Sequence, residues 1–177
     1  VMAELPPLKL ERAVFRTRLE RLEENDWSSQ GLDRIAFEVA TNPGSAPGPL
    51  GRIASGGELA RFLLAIKVVL ASVNPERTLV FDEVDSGVGG ATAHAVGERL
   101  ARLAGDRQVL VITHSPQVAA RGTHHWQVVK RMSGKQVATQ VDQLNDGDRR
   151  EEIARMLSGA EITEEARAAA ERLIGTS

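Results

Sequence analysis

Two short apolar runs, Thr78-Leu79-Val80-Phe81 and Val109-Leu110-Val111-Ile112, limit what this chain can fold into. Each is continuous and short, as strands buried on both faces are. Between them, from Thr92 to Ala104, Ala93, Val96, Leu100 and Leu103 recur on one helical face, and Gly105 closes the helix. Strand, helix and strand in that order form a βαβ unit. Its crossover is expected to be right-handed and its strands parallel. Asp82-Glu83 and Thr113-His114 then follow their strands onto one carboxyl edge, where open α/β sheets bind ligands.

The rest of the chain is organised around this unit. From Lys9 to Glu20, Ala13, Phe15, Thr17 and Leu19 alternate with Val14, Arg16, Arg18 and Glu20, which predicts a strand. Arg34 to Ala40 alternates in the same way, with Ile35, Phe37 and Val39 on one face, so the two are expected to pair as an antiparallel ribbon. Their arginines and glutamates are expected to face solvent. The stretch Thr41-Asn42-Pro43-Gly44-Ser45-Ala46-Pro47-Gly48-Pro49 reads as a loop. Beyond it, Leu59 opens a helix with apolar positions 59, 62, 63, 66, 70 and 73 on one face and Leu64 and Val68 on the other. That pattern predicts a sandwiched helix, ended by Asn74-Pro75. After the second apolar run, Ser115 reads as a cap and Pro116 as the first residue of a short helix through Ala120. His124 to Lys130 and Gln136 to Val141 read as a hairpin. Two helices follow, from Asp148 to Leu157 and, capped by Thr163, to about Ile174.

Composition excludes several classes. A chain of 177 residues with 42% hydrophobic content suits a single domain with a core. A net charge of −2 supplies no overall field toward nucleic acid or an anionic membrane, so any such contact must be local. No apolar run approaches the roughly 20 residues that span a bilayer, and no signal-peptide pattern opens the chain, so a cytoplasmic setting is expected. The absence of cysteine removes thiolate chemistry. Val1 ahead of Met2 reads as a fragment of a longer polypeptide, although processing leaves the same start.

Ser55-Gly56-Gly57-Glu58 places two glycines where the helix from Leu59 begins. Glycine costs about 1 kcal/mol relative to alanine in a helix, so the pair weakens the turn that the following residues propagate. Two readings stand side by side. Ser55 and Glu58 have the spacing of a capping box, which needs no ligand. Free amides, the helix dipole and the missing Cβ atoms also make an anion site, most naturally for phosphate. Taken with Asp82, Glu83, Asp85 and His114, the order of residues favours nucleotide chemistry: one acid for Mg²⁺, one for water, and a polar contact to the γ-phosphate.

These residues resemble the ABC-type ATPases. Ser55-Gly56-Gly57-Glu58 is similar to the signature motif, Thr78 to Glu83 to the Walker B strand, Val84-Asp85-Ser86-Gly87 to the D-loop, and Thr113-His114 to the switch-histidine loop. Ala54 and Glu58 replace the leucine and glutamine common in transporters, which points to the SMC-like branch and its bacterial DNA-repair members. The likeness also runs through Asn42-Pro43-Gly44, Arg52, Lys67, Ser115-Pro116-Gln117-Val118-Ala119, His124-His125 and Ala154-Arg155-Met156-Leu157-Ser158-Gly159, and so covers nearly the whole chain.

The resemblance implies a lobe with a mainly parallel sheet flanked by helices, an N-terminal β ribbon and a late hairpin. It implies ATP and Mg²⁺ as cofactors, with Asp82 holding the ion through water, Glu83 polarising the attacking water and His114 contacting the γ-phosphate. Ser55, Gly56, Gly57 and Glu58 would serve the nucleotide of a second head, with Asp85 coupling the two sites. No Gly-x-x-x-x-Gly-Lys-Ser/Thr occurs, and Gly44 to Gly51 carries neither the lysine nor the hydroxyl residue that follows it. The expected partners are therefore an N-terminal half-head with that Walker A motif, a second head in an ATP-dependent dimer, and DNA, with no membrane. Residues 1–177 would be one domain, the C-terminal half of the head. Two other classes stay open: a non-catalytic DNA- or partner-binding module using Lys130, Arg131 and Lys135, and a two-metal nuclease built on Asp82, Glu83 and Asp85.

Overall fold

The computed structural model describes all residues except 43, 53–55, 71–77, 106, 134, 135, 160, 176 and 177. Two compact units divide the chain, Val1–Glu76 and Arg77–Ser177. Ser55, the predicted helix end at Asn74-Pro75, the helix-face residue Val73, Pro43 and Lys135 lie outside the described residues.

The first unit opens on two 3-10 turns, Met2–Glu4 and Pro6–Leu8, that bury Leu5 and Leu8. β1 (Val14–Arg21) then pairs antiparallel with β2 (Asp33–Ala40), whose other edge takes the short β3 (Gly48–Pro49). The predicted ribbon is present, but β1 starts at Val14 and not at Lys9. Lys9 is left-handed at φ 59, and the Ala13 amide closes a turn onto the Leu10 carbonyl, so the chain cannot be extended there.

The polar face of the ribbon also departs from expectation. Glu38 is buried, directly across from Arg16 in the register. Arg16 holds it at 2.7 Å and Arg18 at 3.3 Å, and the Arg16 hydrogen bond keeps the Glu38 carboxyl below its usual range against the opposing effect of burial. A carboxylate can be enclosed here because two guanidinium groups pair with it.

α1 (Gly56–Leu70) follows the loop. Arg61, Phe62, Leu64, Ala65 and Ile66 are buried, which covers more than half the helix circumference and accords with the two apolar faces. The arc is centred near Ala65, so Leu63 and Leu70, predicted on one covered face of a sandwiched helix, are exposed.

The second unit contains the βαβ element. β4 (Leu79–Asp82) and β5 (Val109–Ile112) are parallel, Leu79 beside Val109 and Asp82 beside Ile112, joined by α2 (Gly90–Leu103). All four predicted α2 core residues, Ala93, Val96, Leu100 and Leu103, are buried. Phe81 is buried on one face of the strand pair, whereas Val80 and Ile112 on the other are 61% and 52% exposed. Among the described residues, the apolar runs are therefore covered on one face, not on both.

α3 (Pro116–Ala119) packs on α2, where Gly97 lets the two backbones approach. Pro116 is its first residue as predicted, but Ser115 does not cap it: the Ser115 hydroxyl donates to Gln117 Oε1 at 2.9 Å. The hairpin is β6 (Trp126–Ser133) with β7 (Gln136–Gln143), Val128 facing Val141 and Met132 facing Val137. α4 (Asp146–Ser158) and α5 (Glu164–Gly175) close the unit around Ile153, Ala154, Ala166 and Ala170, with Ala120 beneath. The Thr163 hydroxyl caps α5 through the Ala166 amide, and Asn145 caps α4 through that of Asp148.

Candidate functional site

Asp82, the last residue of β4, and Glu83 after it are both exposed at the carboxyl edge of the parallel pair. Glu83 takes a left-handed backbone, φ 47, and its amide donates to the Ile112 carbonyl at 3.0 Å. That conformation costs a non-glycine residue about 1–2 kcal/mol. The chain then turns twice, the Ser86 amide bonding to the Glu83 carbonyl and the Val88 amide to that of Asp85. Gly87 supplies the positive φ of 73 that the second turn uses.

This double turn buries Val84 and Asp85, each 1% exposed. The Asp85 carboxylate points into its own chain, where Oδ2 accepts the Thr113 hydroxyl at 2.5 Å. Thr113 Oγ1 in turn accepts the Ser115 amide at 2.9 Å. His114 lies between those two residues and is exposed. The βαβ prediction thus brings Asp82, Glu83 and His114 to one edge, with Asp85 underneath. The Thr113 contact was not foreseen; its signal is a hydroxyl residue ending one parallel strand beside an aspartate-bearing turn after the other.

In the first unit, Gly56 and Gly57 open α1. A Cβ at Gly56 would meet nothing within 4 Å among the described residues, so packing does not account for that glycine. Glu58 is half-buried, and its charge partly offsets the burial that lowers the buried Arg61 guanidinium from its ordinary value. Ser55 lies outside the described residues, which leaves the capping-box geometry undescribed.

Among the described residues, no group of three His, Cys, Asp or Glu side chains could hold a metal unaided. Mg²⁺ commonly keeps its waters and takes one or two carboxylates plus phosphate oxygens, and an exposed Asp82 fits that mode. Asp85, enclosed against Thr113, is no further ligand, which removes the support for a two-metal nuclease. At the hairpin, Arg131 pairs with Asp142 at 2.7 Å, and Lys130 next to it on the strand points to the opposite face. These two cations form no joint patch.

No protein-family model matches the chain. Its fold matches an Smc head domain from Pyrococcus yayanosii with a TM-score of 0.61, at 19% identity, over 89% of this chain and 28% of that one. The Smc head domain from Pyrococcus furiosus bound to the C-terminal domain of ScpA gives 0.58 at 21% identity, over 81% and 33%. Its fold is therefore that of the SMC head domains. In sequence it is similar to the DNA repair protein RecN. It is 43% identical over 171 residues to that of Rickettsia bellii and 46% over 157 residues to that of Xylella fastidiosa, covering 97% and 89% of this chain. RecN from Deinococcus radiodurans is 45% identical over 159 residues. The chain spans 28–31% of the length of these relatives. Among the described residues no helix is long and apolar enough to cross a membrane.

Proposed function

We propose that residues 1–177 are the C-terminal half of an ATP-hydrolysing head that acts, in the bacterial cytoplasm and at the nucleoid, in repair and recombination of DNA double-strand breaks. The observation that carries this reading is the exposed edge where Glu83, in its left-handed backbone, stands with Asp82 and His114. A bound Mg²⁺–ATP supplies the phosphoryl group and its charge neutralisation. Asp82 would hold the ion, Glu83 would accept a hydrogen bond from the attacking water and orient it, and His114 would donate to the γ-phosphate. The stretch Ser55 to Glu58 would serve the nucleotide of a second head in an ATP-dependent dimer.

The missing phosphate loop belongs, in this reading, to an N-terminal half-head. The open face of β4 and β5 supports it, because parallel strands are ordinarily covered on both sides, and Val80 and Ile112 are not. Paired Arg131 and the opposed Lys130 leave the non-catalytic DNA-binding alternative without an observation in its favour.

The test joins the chain to a lobe carrying the Walker A motif. The joined protein is expected to hydrolyse ATP, and Glu83→Gln to lower turnover by at least about 100-fold while ATP-dependent association persists. Wild-type turnover by that variant would sink the assignment. The 177 residues alone are expected to be nearly inactive, and robust hydrolysis by them would refute the half-head.

A further inference from the structure

We infer that Asp85 is a positioning residue that acts inside its own chain, through Thr113, on the loop presenting His114. The inference rests on the ATP-hydrolase reading for its kinetic consequence, although the contact itself does not depend on it.

Three observations carry it. Asp85 is 1% exposed, so its carboxylate cannot be a surface group reaching outward from this chain. Its Oδ2 accepts the Thr113 hydroxyl proton at 2.5 Å, in the range of a charge-assisted O–H···O⁻ bond. Thr113 Oγ1, with its proton committed to Asp85, turns a lone pair to the Ser115 amide at 2.9 Å. The hydroxyl thus relays the carboxylate to a backbone amide, and the relay brackets His114 on both sides.

The second tie is the Glu83 amide on the Ile112 carbonyl. Asp85 and Glu83 sit in one double turn, and Ile112 and Thr113 are consecutive. Two bonds therefore rivet the turn after β4 to the loop after β5, and the groups assigned to water and to the γ-phosphate move together. The other carboxylate oxygen, Oδ1, has no hydrogen-bond partner among the described residues. Burying an unpaired oxygen is costly, and a single strong, directional bond on Oδ2 gives the enclosed carboxylate a local role.

The first experiment follows amide exchange by NMR in the joined two-lobe protein. Thr113→Val and Asp85→Ala should each speed exchange of the Ser115 amide by on the order of tenfold, with amides of β6 and β7 unchanged. Thr113→Ser, which keeps the hydroxyl, should restore protection, and the near-isosteric Asp85→Asn serves if Asp85→Ala does not fold. An unchanged Ser115 amide in Thr113→Val overturns the proposal. The second experiment uses the joined two-lobe enzyme. Thr113→Val and Asp85→Ala should each lower kcat on the order of tenfold with KM within about twofold, and the double variant should be no worse than the poorer single. Additive losses, or a change confined to KM, also overturn it. Should Glu83→Gln retain turnover while Ser115 exchange responds as expected, the ATPase reading falls and the relay stands; the reverse pattern removes the relay alone.

Discussion

The Glu83 amide donates to the Ile112 carbonyl at 3.0 Å, and Glu83 itself adopts φ 47, so a glutamate occupies backbone space that suits glycine. Glu83→Gly relieves this conformation and gives back part of the gain as unfolded-chain entropy. The expected net result is a stabilisation of about 0.5–1 kcal/mol in denaturant unfolding, with turnover lost. A destabilised Glu83→Gly protein would show that the left-handed backbone carries no strain.

Gly97 is where α2 meets α3. A Cβ there would lie 3.0 Å from Arg121 Cγ, 3.1 Å from the Gln117 carbonyl oxygen and 3.3 Å from Val118 Cα. The arginine stem can yield, but the two backbone atoms cannot without moving α3. Gly97→Ala is expected to cost about 1–3 kcal/mol in spite of alanine's better helix propensity. Thermal unfolding of this single variant checks it.

Ile153 is fully enclosed in the α4–α5 cluster, whose other buried members are all alanines. Small neighbours cannot swell into the space a truncation leaves. Ile153→Ala is therefore expected to cost about 2–5 kcal/mol, toward the upper end, by urea denaturation. A loss below 1 kcal/mol would mean that α5 closes onto α4, against the rigidity argued for rigid cores.

His125 introduces a pH dependence. Burial holds its imidazole below the ordinary 6.5, with the charge of Glu152 opposing and that of Arg149 assisting. Above that value the side chain is neutral in both states. Below it the unfolded chain takes up the proton first, so stability falls as pH drops from about 6.5 toward the lower folded value. His125→Gln should flatten this part of a pH–stability curve, and an unchanged slope would assign it elsewhere.

Much of the architecture could be read from period and punctuation. The βαβ unit, both ribbons and the α2 face follow from spacings that depend on local geometry alone. What escaped the sequence depends on who meets whom across the fold. Alternation runs without a break through Lys9, yet a left-handed residue there delays the strand to Val14. Glu38 alternates like an exposed residue, and its burial needs Arg16 and Arg18 from the neighbouring strand. Asp82, Glu83 and His114 were legible as one edge, since parallel strands end together. The inward turn of Asp85 was not, because it depends on the pairing of Asp82 with Ile112, which sets Thr113 within reach.

The hairpin has a practical consequence. Trp126, Val128, Met132, Val137 and Val141 share one face of the β6–β7 ribbon, each at least half exposed. Such a face is adhesive in water and templates sheet-to-sheet stacking. Expressed by itself, the chain is expected to be limited by colloidal behaviour before its intrinsic stability is reached, and light scattering that grows with concentration below the melting transition would report it.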